Sequence, residues 1–245
     1  MKMSVRRYRN IEELSRAAAE LVCREAAGAL QKRGLFTLAL CGGKTPRLLY
    51  ELLAAPPCRK SMPWPATHLF WSDERFVPAT DPDSNFGMAQ ELLIAHVPLP
   101  PQNIHRIPTE AGSPGDAAAV YEKELKQFFS SSRDTEALAF PAFDVLLLGM
   151  GSDGHTASLF PGDAALQESS KWVTAVSSAR AVPPVPRVTL TLPVINSAGC
   201  VMLLVSGAEK RGVVQEILDA HVAAKELYPA ALVQPQGKLV WLIDE

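Results

Sequence analysis

The segment Gly149-Met150-Gly151-Ser152-Asp153-Gly154-His155 follows the apolar run FDVLLLG and combines turn residues with an imidazole and a carboxylate. An unperturbed imidazole titrates near pH ~6.5, so a histidine can take a proton from water at neutral pH. A neighbouring carboxylate fixes its tautomer and stabilises its cation. The plainer alternative is a helix-capping Asp153 and a structural His155. Gly149, Gly151 and Gly154 also match G-x-G-x-x-G, a dinucleotide fingerprint. Against that, the pattern follows a middle strand, and the next strand ends at Val176-Ser177 with no acidic residue for a ribose.

Three further clusters have the residue types of an anion or sugar site. In Cys41-Gly42-Gly43-Lys44-Thr45-Pro46 a Gly-rich turn feeds a helix start, so backbone N–H groups at Gly42, Gly43, Lys44 and Thr45 are candidate donors. A nucleotide P-loop would need glycine at Leu38, so that reading fails. Asp73-Glu74-Arg75 follows an apolar run and precedes Asp81, Asp83, Ser84 and Asn85. A carboxylate and a guanidinium there could orient a base and grip a phosphate; a solvated loop with a helix cap is the bland reading. Arg187 opens RVTLTL, and Lys210 sits at a helix start, where the dipole does not favour a cation. His68, His96, His105, His155 and His221 are scattered without HExxH or paired Cys/His spacing, so no metal site is expected. No G-x-S-x-G elbow marks a serine hydrolase.

These clusters need elements to carry them. Asn10 with Glu13 predicts a helix start, continued by Leu14, Ala18, Leu21, Val22 and Ala29 and closed by Gly34. Strands are expected at 36–40, 67–72, 104–107, 143–149, 172–176, 187–192, 200–206 and 238–243. Helices are expected from Thr45 as N-cap to Leu53, and at 86–94, 116–129 and 208–218. Residues 73–85 read as a polar loop. Continuously apolar strands alternating with helices indicate a mostly parallel sheet covered on both faces. In such sheets ligands bind beyond the carboxyl ends of the strands, where CGGKTP, DERF, GMGSDGH and SGAEK all fall.

The 245 residues are 47% hydrophobic and 20% charged, with a formal net charge of -2, which is globular rather than disordered. That charge gives no electrostatic case for nucleic acid or a membrane surface. No apolar run reaches the ~18 residues of a membrane helix, and no apolar stretch after MKMSVRRYRN suggests a signal peptide. Cys23, Cys41, Cys58 and Cys200 form no CxxC pair and read as free thiols of a cytoplasmic protein.

Taken together, CGGKTP, FWSDERFVPATDPDSN, LLLGMGSDGHTASLFPG, RVTLTLPVIN and SGAEKR, in this order, resemble the 6-phosphogluconolactonase family over nearly the whole chain. The resemblance implies one α/β domain over residues 1–245, a three-layer Rossmann-like sheet with helices on both faces. It implies hydrolysis of 6-phospho-D-glucono-1,5-lactone by a water that His155 activates, with Asp73 or Asp153 orienting the imidazole. Gly42, Gly43, Lys44, Thr45, Arg75, Asn85, Gly151, Arg187 and Lys210 then bind the substrate, without metal or organic cofactor, in a monomer or weak homodimer. Glucosamine-6-phosphate deaminases share the fold but continue past the histidine as I-A-F-N-E-P; here Phe160 stands at the position of that catalytic Glu. A non-catalytic sugar-phosphate sensor is a further alternative, although no helix-turn-helix or basic stretch accompanies it. The family turn usually reads S-G-G-S-T-P, so Cys41 and Lys44 are departures.

Overall fold

A computed structural model of the chain describes residues 2–131, 140–219 and 222–244. The strands are β1 (Lys2–Tyr8), β2 (Phe36–Leu40), β3 (Thr67–Trp71), β4 (Asp73–Arg75), β5 (Val145–Gly149), β6 (Val173–Val176), β7 (Arg187–Leu190), β8 (Cys200–Val205) and β9 (Lys238–Asp244). The α-helices are α1 (Ile11–Arg33), α2 (Arg47–Ala54), α3 (Cys58–Ser61), α4 (Asn85–Leu92), α5 (Pro114–Ser131), α6 (Leu192–Asn196), α7 (Arg211–Leu218) and α8 (Val222–Leu227).

Six strands form one sheet in the order β1-β9-β8-β5-β2-β3, and every pair is parallel. All residues of β2 and β8 are buried. Successive side chains of a strand point to opposite faces, so both faces are covered. After β2 the chain crosses to β3 on one side; after β5 it reaches β8 on the other. The direction of winding therefore switches between β2 and β5, and a crevice opens at their carboxyl ends. The turns Cys41–Thr45 and Met150–His155 flank that crevice.

Three strands do not join this sheet. β4, β7 and β6 form a small antiparallel sheet, with Asp73 opposite Thr189 and Arg75 opposite Arg187. Ser72 links the two sheets: its N–H donates to Leu40 O at 2.8 Å, and its carbonyl accepts from Leu190 N at 2.8 Å.

Several sequence expectations need correction. Residues 73–75, read as loop, are β4, because backbone pairing with β7 outweighs their charge. β1 was not anticipated: its side chains are mostly exposed, and it is held as an edge strand by β9. Residues 104–107 make only an isolated bridge, Leu69 with Ile104. Thr45 is not the N-cap of α2: Pro46 takes that place and no side chain caps the helix. The strand from Arg187 stops at Leu190, and Leu192 begins α6 with Pro193 in its first turn. The start of α1 is as expected, with Asn10 Oδ1 accepting from Glu13 N at 2.9 Å and Gly34 closing it at φ 74°.

Candidate active site

A cleft of about 140 Å³ lies at the switch point. It is lined by Gly42, Gly43, Lys44 and Thr45 from the turn after β2, by Asp73 and Arg75 from β4, by Gly151 and His155 from the turn after β5, by Arg187 from β7 and by Lys210. Strands distant in sequence thus bring together ten of the residues singled out above. Asn85 and Asp153 stand behind this lining.

The turn after β5 is built around the imidazole. Gly151 N–H donates to His155 O at 2.9 Å, and Gly154 N–H donates to Gly151 O at 3.1 Å. A Cβ on Gly151 would lie 2.2 Å from His155 Nδ1, so only glycine lets the ring pass. His155 Nδ1 lies 2.6 Å from Asp153 Oδ1, and the ring rests on Phe160 with centroids 4.6 Å apart. With Nδ1–H donated to Asp153, Nε2 is an acceptor, and no described residue bonds it. The chain then makes a tight Thr156–Leu159 bridge instead of a helix. A dinucleotide fingerprint must open a helix, so that reading is excluded here.

Asp73 is buried and does not pair with His155. Its Oδ2 accepts from Ser158 Oγ at 2.7 Å, which ties β4 to the histidine's turn. Asn85 Nδ2 donates to the Asp73 carbonyl at 2.9 Å. A Cβ on Gly42 would come within 1.8 Å of Asn85 Oδ1, so Asn85 packs flat on the Gly-rich turn and requires Gly42. Tyr50 of α2 holds the same turn by accepting from Cys41 N at 3.0 Å and donating to Cys41 O at 2.6 Å. Burial pushes the Cys41 thiol up to about 12, so it is no nucleophile. The N–H groups of Gly42, Gly43, Lys44 and Thr45 have no partner among the described residues, and they border the cleft.

The cations are the most telling feature. Arg75 and Arg187 face each other across β4 and β7, an arrangement of like charges that destabilises a sheet unless an anion intervenes. Their Nε atoms are buried and have no partner among the described residues. Arg187 Nη2 donates to Val182 O at 2.9 Å, and Arg75 Nη1 donates to Asp83 O at 2.6 Å, which aims both guanidinium groups. Burial lowers the Arg187 pKa from its ordinary value, with Asp73 opposing and Arg75 adding to the fall. Burial likewise lowers Lys210, against Glu209 and Asp244. Neither arginine nor Lys210 has an ion pair among the described residues. Behind them Glu74 anchors α4, accepting from Arg75 N, Asn85 N and Phe86 N at 2.7 to 2.8 Å; burial nevertheless pushes it up to about 7.

Ser158 and Tyr50 were not singled out from sequence, and Glu74 was named there only within the Asp73-Glu74-Arg75 cluster, with no role of its own. Ser158 lies inside the recognisable DGHTASLFP string, but its partner Asp73 is 85 residues away. Among the described residues no three His, Cys, Asp or Glu groups converge as a metal site, and His221 lies outside those residues. No helix among them is long and apolar enough to cross a membrane.

Residues 9–241 match the family model for glucosamine-6-phosphate isomerases/6-phosphogluconolactonase. The chain is 46% identical over 217 residues to a 6-phosphogluconolactonase of Synechocystis sp., covering 89% of this chain and 85% of that one. It is 41% identical over 244 residues to a 6-phosphogluconolactonase of Nostoc sp., covering 100% and 96%. A crystal structure of 6-phosphogluconolactonase from Thermotoga maritima superposes with a TM-score of 0.83 at 31% identity, covering both chains in full. The chain belongs to the glucosamine-6-phosphate isomerase/6-phosphogluconolactonase family.

Proposed function

We propose that this chain hydrolyses 6-phospho-D-glucono-1,5-lactone to 6-phospho-D-gluconate, the second step of the oxidative pentose phosphate pathway, with His155 as general base. One observation carries the reading: an imidazole with Nδ1 fixed on Asp153, and with Nε2 unpartnered among the described residues, faces a cleft whose two arginines, Arg187 buried and Arg75 half-buried, make no ion pair among those residues.

Arg75, Arg187 and Lys210 take the phosphate, because charge-assisted contacts to a dianion are strong. This anchoring sets the lactone carbonyl over the turn after β2. His155 Nε2 accepts a proton from water as the oxygen attacks the carbonyl carbon. The N–H groups of Gly42 and Gly43 receive the developing oxyanion. The imidazolium, stabilised by Asp153, returns its proton to the ring oxygen as the C–O bond breaks. Asp73 acts indirectly, holding the His155 turn through Ser158 and offsetting the Arg187 charge. Water and an imidazole suffice for an activated ester, so the mechanism calls for no cofactor. Deamination is disfavoured because Phe160, buried beneath His155, exchanges no proton. The reading describes a cytoplasmic enzyme, a monomer or weak homodimer, with no role for nucleic acid or membrane.

Acid release from fresh phosphorylated lactone tests this, beside its unphosphorylated counterpart. The wild type should exceed the spontaneous rate and favour the phosphorylated substrate. His155→Ala should lose about 1,000-fold in kcat, within the usual range for general base catalysis. An unaltered rate in that variant removes His155 from the chemistry.

A further inference from the structure

The His155 turn is held on its far side by a segment that carries no group of the proposed chemistry. Gly154 has φ 76°, and a Cβ there would lie 2.5 Å from Tyr228 Cδ1 and 2.8 Å from Tyr228 Cβ. The tyrosine therefore packs directly on the backbone of the residue before the base. Ala230 N–H donates to Gly154 O at 3.0 Å, a second hold on the same peptide. Tyr228 is anchored in turn, its hydroxyl donating to Glu216 Oε2 at 2.7 Å. Glu216 belongs to α7, and the residue immediately before that helix is Lys210.

A continuous chain of contacts thus runs from Lys210 along α7 to Glu216, Tyr228, Gly154 and His155. A short helix is rigid along its axis, so its two ends keep a fixed spacing. We propose that Tyr228 is a positioning residue that sets the distance between the base and the phosphate-gripping end of the cleft, through Gly154 on one side and Glu216 on the other. This rests on the reading of His155 as base and Lys210 as phosphate ligand. Its consequence is specific to phosphorylated substrate. Such a substrate is fixed at its phosphate and cannot follow a displaced base, whereas an unanchored lactone can shift with it. Small misplacements of a reacting group are costly, up to about 100-fold per ångström.

The test compares Tyr228→Phe and Glu216→Ala with the wild type on the phosphorylated and unphosphorylated lactones. Each variant should lose about tenfold in kcat on the phosphorylated lactone, as expected for one lost charge-assisted hydrogen bond, with KM within about twofold. Each should lose less than about twofold on the unphosphorylated one. The double variant should be no worse than either single, since both break one link. Glu216→Gln, which still accepts from the tyrosine, should restore most of the rate. Equal losses on both substrates, or additive losses in the double variant, would make the contact merely structural and overturn the proposal. So would full activity in Tyr228→Phe and Glu216→Ala. His155→Ala, run alongside, separates the two ideas: if it keeps its rate, the reading of the base fails first. If it is inactive while Tyr228→Phe is unaffected, the positioning role alone fails.

Discussion

Two imidazole–carboxylate pairs occupy opposite ends of this molecule's chemistry, although their geometries nearly coincide. His155 Nδ1 lies 2.6 Å from Asp153, and His105 Nδ1 lies 2.7 Å from Glu124. The difference is at the other nitrogen. His155 Nε2 has no partner among the described residues, and its ring borders a cleft with Arg75, Arg187 and Lys210. His105 Nε2 is 3.0 Å from His68 Nδ1, and its ring is stacked on Phe70 and edged by Phe128. A carboxylate-oriented histidine is therefore not in itself a catalytic group. The role proposed for His155 rests on its other nitrogen, unengaged among the described residues, beside the cations of the cleft. At β3 the same pair is a fastener, tying the strand's outer edge to α5.

Removing the carboxylate should separate the two pairs most sharply. Asp153→Asn leaves the turn's volume unchanged but removes the charge that stabilises the imidazolium and fixes its tautomer. A loss of about 100-fold in kcat is expected, with KM for the phosphorylated lactone little changed. Glu124→Gln should leave kcat within about twofold and lower only the thermal midpoint. Steady-state kinetics on both variants check this. Comparable kinetic effects would mean that the His105 pair communicates with the site.

The second contrast is anchoring, since the cleft beside His155 is lined by Arg75, Arg187 and Lys210, whereas the His105 ring packs on His68, Phe70 and Phe128. Arg187→Met keeps much of the aliphatic stem over Phe160, whose centroid lies 5.9 Å from the guanidinium carbon. Loss of charge-assisted contacts worth about 1.5–3 kcal/mol should raise KM for the phosphorylated lactone by about 10- to 100-fold. The rate on the unphosphorylated lactone should hardly move. If both substrates suffer equally, the arginine supports the sheet rather than the phosphate.

What the sequence disclosed follows the same division between local and distant. The turns Gly42–Thr45 and Gly149–His155 were legible because glycines directly after an apolar run announce a strand end within a few residues, although the cap expected at Thr45 is not one. Asp153 beside His155 was legible for the same reason, though the choice between Asp153 and Asp73 needed coordinates. The partnership of Asp73 with Ser158 was not, nor that of Tyr228 with Gly154, because each joins segments more than seventy residues apart. β4 was missed because its three residues are all charged and only β7 makes them a strand. β1 was missed because an exposed edge strand carries little apolar pattern. The facing of Arg75 and Arg187, on which the proposed phosphate contacts rest, exists only in the register of that small sheet.

The smallest expected effect tests the fastener itself. Burial holds His68 down to about 4, with His105 adding to the fall. In the unfolded chain the same imidazole titrates near pH ~6.5. Between those values the unfolded state binds a proton that the folded state refuses, so stability is fully present above pH ~6.5 and declines as pH falls toward 4. His68 is only partly buried, so solvent screening reduces the effect to about 1 kcal/mol. Urea denaturation at pH 6.5 and 4.5 should show the wild type losing about that much more than His68→Asn. Parallel losses in the two proteins would mean that acid acts elsewhere. The turnover number of His68→Asn on the phosphorylated lactone, measured at pH 7, should match the wild type, because this imidazole reaches no substrate.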